Sequence, residues 1–127
     1  MNKLFLYLLF LLVTINTNAQ STNPKYDKAL ADSLGADNYG MKMYVLVILK
    51  PGENKINNKA REDSLFMGHL QNIGRLANKG KLVAAGPLQK NKNSYQGIFI
   101  LNVKTIEDAT LLLDSDPAIK ADRKSVV

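Results

Sequence analysis

Apolar positions along the chain fall into blocks, and the spacing within each block predicts a different element. Residues 4–13 are ten apolar residues without interruption, after a short basic start at Met1-Asn2-Lys3. Thr17-Asn18-Ala19 then places small residues where a signal peptidase reads its substrate. A transmembrane helix needs roughly 20 apolar residues, and the polar run from Asn16 to Gln20 stops this block well short. Residues 1–19 therefore read as an export signal, with no stable membrane insertion once it is cleaved.

Residues 25–36 carry Tyr26, Ala29, Leu30, Ala31 and Leu34 near helical spacing, with Gly35 as a stop. Turn chemistry follows at Asp37-Asn38-Tyr39-Gly40. Residues 43–49 are apolar at every position, the pattern of a strand covered on both faces, and Lys50-Pro51-Gly52 ends it. Asn57 or Asn58 caps the next element, whose Phe66, His69, Leu70, Ile73, Leu76 and Ala77 follow an i, i+3, i+4, i+7 rhythm up to Gly80. Gly68 and Gly74 inside that helix each cost about 1 kcal/mol relative to Ala, which points to close backbone approach or an open groove.

A short strand over 82–85 ends at Gly86-Pro87, a polar hairpin loop covers 88–94, and residues 95–103 form the second strong strand. Gly97, Phe99, Leu101 and Val103 share one of its faces, Ile98, Ile100 and Asn102 the other. Thr105 and Asp108 make a capping-box variant before a helix with Ile106, Ala109, Thr110 and Leu113 on one face. Asp116-Pro117 ends that helix, because the residue before proline is pushed out of the α region.

The order β-α-β-β-α, with a small helix in front and a stub behind, predicts an α+β fold of the ferredoxin-like, split β-α-β plan with its last strand short or missing. Both long helices would cover one sheet face. The other face stays apolar, and a homodimer that stacks two such faces removes the liability. A short last strand predicts that this dimer is weak or prone to aggregate, because it leaves residues 43–49 as an edge.

Composition narrows the chemistry. Cleavage after Ala19 leaves 127 − 19 = 108 residues, one small domain, and the loss of Lys3 takes the net charge from +6 to +5. With no cysteine, no disulfide staples an exported chain, and thiol catalysis, Cys-based zinc sites and iron–sulfur clusters are excluded. A single histidine excludes multi-His metal sites. No cofactor is expected. Of 17 cations 14 are Lys, scattered rather than clustered, and Trp is absent. Base readout leans on Arg and single-strand binding on stacked aromatics, so nucleic acid is not the expected partner.

His69 is the one side chain whose ordinary pKa lies near neutrality. Its place among Phe66, Leu70, Ile73 and Leu76 turns it toward the sheet or its border, which fits both a core histidine with one hydrogen-bond partner and a functional one. Asp116 is the leading partner, since the two helices share a sheet face; Asp114 and Ser115 also satisfy the spacing. A carboxylate on one ring nitrogen fixes the tautomer and leaves the other nitrogen free as acid or base. No GxGxxG, Walker or GxSxG template is present, and the acidic residues have no metal-loop spacing.

The ordered set His69-Leu70, Gly80-Lys81-Leu82, Ala85-Gly86-Pro87-Leu88, Gly97-Ile98-Phe99 and Asp116-Pro117-Ala118 resembles the YCII-related family of small dimeric α+β barrel proteins. The likeness runs from about Met43 to Ala121. The leader and residues 36–42 resemble an exported subgroup seen in Bacteroidetes-type bacteria. The resemblance implies residues 1–19 as signal peptide, 20–42 as an N-terminal extension and 43–127 as the family domain. It also implies a catalytic dyad carried by His69 and Asp116, in a family also described as carrying an active-site phosphohistidine and including elimination enzymes of aromatic degradation. Members usually continue past the Asp-Pro segment through a further strand, where this chain has the charged stub Asp122-Arg123-Lys124. The function expected is a small-molecule enzyme of lyase-like acid/base chemistry, with a non-catalytic ligand-binding or dimeric interaction module as the alternative.

Overall fold

The computed structural model describes residues 23–122 and 124–126, which divide into two compact units at Met41/Lys42. The export signal lies outside the described residues. No described helix is long and apolar enough to cross a membrane.

The first unit holds helix α1, Lys28–Leu34. Asp27 caps it by accepting from the Leu30 N–H at 2.9 Å, and Gly35 closes it in the left-handed region at φ +69°. Asp37 then organises the turn by accepting from the N–H groups of Tyr39 and Met41. The predicted helix is shortened at both ends to the segment between these two caps.

The second unit runs β1 (Val45–Pro51), α2 (Lys59–Asn78), β2 (Leu82–Pro87), β3 (Gly97–Leu101), α3 (Ile106–Leu113), α4 (Pro117–Lys120) and β4 (Lys124–Val126). The sheet order is β2-β3-β1-β4, with every neighbouring pair antiparallel. That is the ferredoxin-like arrangement expected from the element order. Val45 pairs with Leu101 and Leu49 with Gly97, so the odd-numbered positions of β1 and β3 share a face.

Val47, Leu49, Phe99 and Leu101 from that face pack with Leu76 of α2 and with Ala109 and Leu113 of α3 in one buried cluster. Leu46, Ile48, Ile98 and Ile100 point to the opposite face, where Leu46 remains 57% exposed. Within the second unit, and among the described residues, the buried cluster covers one side of β1. Its uniform apolarity had suggested cover on both sides.

The ends of the elements differ from the sequence expectation in instructive ways. β1 runs on through Lys50 and Pro51, because both pair with β4. β4 itself is only three residues, and it leaves residues 45–48 of β1 without a β4 partner. Asn58, rather than Asn57, caps α2 by accepting from the Arg61 N–H. In α3 the buried positions are Ala109 and Leu113, while Ile106 is 73% exposed. Asp116-Pro117 does more than end a helix: Asp116 caps the one-turn helix α4 with Pro117 in its first turn, the N-terminal use of Asp and Pro.

The two α2 glycines resolve into different cases. A Cβ on Gly68 would lie 2.9 Å from Cγ of Pro117, whereas one on Gly74 would meet nothing within 4 Å. Gly68 is the close approach and Gly74 the open position.

Candidate active site

Two steps of three residues along α2 set His69, Asn72 and Arg75 on one stripe. The turn between α3 and α4 lies against that stripe and brings Ser115 and Asp116 to it. His69 Nδ1 lies 2.7 Å from Asp116 Oδ2, and the two side chains are 6% and 0% exposed. Of the three partners that the spacing allowed, the histidine meets Asp116. Asp114 is the exposed C-cap of α3, and Ser115 bonds Asn72 and Arg75 instead.

A fully buried carboxylate needs several donors to remain charged. Asp116 has them. Its Oδ2 accepts from His69 and from Asn72 Nδ2 at 3.2 Å, and its Oδ1 from the N–H groups of Ala118 at 2.9 Å and Ile119 at 3.3 Å. Burial pushes this carboxyl up, but the hydrogen bond and charge of His69, the Asn72 amide and the Ala118 N–H outweigh it and hold the group below its ordinary value. The ionised form has only acceptors to offer, so Nδ1 of the neutral imidazole carries the proton.

Nε2 is then the bare nitrogen. Among the described residues it has no partner, and no buried side-chain nitrogen or oxygen there lacks one. Nε2 therefore reaches accessible space. His69 borders a cavity of about 430 Å³ whose floor is Leu49 and Phe99 and whose helix side is Phe66, Leu70 and Ile73. The imidazole stacks on Phe99, with centroids 5.7 Å apart and planes at 26°.

Ala85-Gly86-Pro87 and Gln96-Gly97 complete the lining. Gln96 is set by strand pairing, since its N–H donates to the Leu49 carbonyl at 2.7 Å and its carbonyl accepts from Leu88. Phe66 and Leu70 look outward from the sheet core, 54% and 43% exposed, because they face this opening.

Asn72 and Arg75 were not singled out from sequence, and Ser115 only as an alternative partner of His69. The i+3 spacing from His69 is the signal that finds Asn72, since a polar residue repeating on a histidine's own buried stripe needs a polar neighbour across the interface. Chemically, the arrangement offers one aligned base in a largely apolar cavity, with its proton-bearing side held by a charged partner.

No protein-family model and no curated protein matches the chain. Among solved structures, 5-chloro-2-hydroxyhydroquinone dehydrochlorinase from Burkholderia phenoliruptrix, in complex with 2,5-dihydroxybenzoquinone, is similar at 18% identity and a TM-score of 0.41. The match covers 65% of this chain and 89% of that one.

Proposed function

We propose that the chain is an exported YCII-related enzyme that catalyses lyase-like acid/base chemistry on a small molecule, with His69 as the proton-transfer group and Asp116 orienting it. The observation that carries this reading is the buried 2.7 Å contact from His69 Nδ1 to Asp116 beside a cavity that the same imidazole borders. In an elimination, Nε2 takes a proton from a substrate C–H or O–H while a leaving group departs with its bonding pair. Asp116 stabilises the imidazolium formed and stays ionised. The apolar walls exclude water from the developing charge.

The substrate expected is an uncharged or weakly acidic ring-sized compound, because the cavity holds about 430 Å³ and its polar lining residues are Gln96 and His69. No cofactor enters this proposal. The acting unit is a homodimer whose outer sheet faces, carrying Leu46, Ile48, Ile98 and Ile100, stack on one another.

A screen of small phenolic and cyclic carbonyl compounds against the purified mature protein tests the reading. Turnover that disappears in His69→Ala supports it. Saturable binding in the cavity without turnover, unaffected by His69→Ala, assigns a ligand-binding module instead.

A further inference from the structure

Asp116 is 0% exposed, yet its charge is connected to the protein surface. The connection is the side-chain amide of Asn72, which is itself 6% exposed. Asn72 Nδ2 donates to Asp116 Oδ2 at 3.2 Å. On the other side Asn72 Oδ1 accepts from Arg75 Nη2 at 2.6 Å, from Arg75 Nε at 3.2 Å and from Ser115 Oγ at 3.2 Å. Arg75 Nη2 also donates to Ser115 Oγ at 2.6 Å.

The two guanidinium donors converge on the amide oxygen, beside a Ser115 hydroxyl that shares its one proton with the closer Leu112 carbonyl, so the amide has one satisfactory orientation, with its NH₂ toward Asp116. A guanidinium at the oxygen draws electron density from the amide and makes Nδ2–H a stronger donor, the cooperative effect of a hydrogen-bond chain in a poorly polarisable interior. Resting on the reading of His69 as the proton-transfer group, we propose that Asn72 is a positioning residue: its amide, oriented by Arg75 and Ser115, keeps the Asp116 carboxylate charged and aligned so that His69 holds its proton on Nδ1 and presents a bare Nε2 to the cavity.

The charged and titratable groups in this chain of contacts are His69 and Arg75, both on α2. The α4 side supplies backbone N–H groups of Ala118 and Ile119 to Oδ1, away from the oxygen shared by His69 and Asn72. A simpler role for Asn72 is mechanical, tying α2 to the α3–α4 turn through Arg75 and Ser115.

Asn72→Asp separates the two roles. The variant keeps an acceptor for Arg75 and Ser115 but replaces the donor facing Asp116 with a second carboxyl. Two carboxyls at one site cannot both ionise easily, so one holds a proton. His69 is the only histidine in the chain, which makes its ring ¹⁵N and ¹H signals unambiguous by NMR on the ligand-free mature protein.

In Asn72→Asp the Asp116 carboxyl midpoint is expected to rise by about one pH unit or more, tenfold in proton affinity, and the His69 ring signals to follow that shifted titration. Arg75→Gln, at an exposed position, is expected to raise the same midpoint by a smaller amount, and Arg75→Lys to restore part of it. If Asn72→Asp does not fold, Arg75→Gln decides alone. An Asp116 midpoint unchanged in the folded variants overturns the proposal. These readouts need no substrate, so the relay can fail while His69→Ala still abolishes turnover, and it can hold in a protein that only binds ligand.

Discussion

Gly68 and Pro117 approach so closely that a Cβ on the glycine would stand 2.9 Å from the proline Cγ. Each is the chain neighbour of a site residue: Gly68 precedes His69 and Pro117 follows Asp116. The missing side chain lets α4 settle against α2, and that seating places the carboxylate 2.7 Å from the imidazole.

Gly68→Ala is therefore expected to destabilise the protein although it gains about 1 kcal/mol of helix propensity. The proline ring has little freedom to yield, and overpacking of this kind costs about 1–3 kcal/mol. Gly74→Ala, in the same helix with nothing within 4 Å, keeps the propensity gain and raises Tm by a few degrees. Thermal unfolding of the two variants side by side makes the comparison. An equal response of both would remove the close-contact explanation.

Acid should expose the contribution of Asp116. Its folded-state pKa is depressed below the ordinary 3.8, so it stabilises the fold above that pH and loses the contribution as pH falls through the lower folded value. Asp116→Asn keeps the shape and loses the charge, at about 2 kcal/mol near neutrality. Urea unfolding from pH 7 downwards should show the gap between wild type and variant constant to about pH 4 and narrowing below it. A gap that widens in acid contradicts the sign.

Once a substrate is found, His69→Ala and Asp116→Asn should each abolish turnover, and the double variant should be scarcely worse than either single one. Groups that act as one unit lose their effect together. Multiplicative losses in kcat/KM would show two independent residues and remove the dyad.

The outer sheet face predicts the assembly. Leu46 pairs across to Ile100 and Ile48 to Ile98, an apolar block outside the buried cluster formed with α2 and α3. At ~25 cal/mol per Å², a few hundred Å² of such surface is worth roughly 10 kcal/mol of burial. Leu46→Lys, at a position 57% exposed in the single chain, is expected to fold and to shift the protein to monomer in light scattering. A wild-type protein that stays monomeric at high concentration would falsify the stacked dimer.

Export predicts a mature N-terminus at Gln20, cyclised to pyroglutamate. N-terminal mass spectrometry of material from the native host reads this directly. Intact Met1 recovered in the membrane fraction would point to an anchor in place of a cleaved signal.

Sequence by itself determined the order of the longer elements, because helix and strand periodicities and the caps at Asn57 or Asn58, Thr105 and Gly35 are local properties of the chain. It also reached His69 and Asp116, since the shared sheet face of two helices follows from that order. Tertiary structure alone decided which of Asp114, Ser115 and Asp116 meets the histidine. The choice depends on α4, a single turn too short for periodicity to reveal, and on Gly68, whose missing Cβ matters only against Pro117. Asn72 and Arg75 were equally hidden, because a polar residue on a helix looks solvated until a buried carboxylate across the interface gives it something to hold. The half-covered β1 has the same origin: apolar side chains specify that a face wants cover, while the element that supplies it is set by packing.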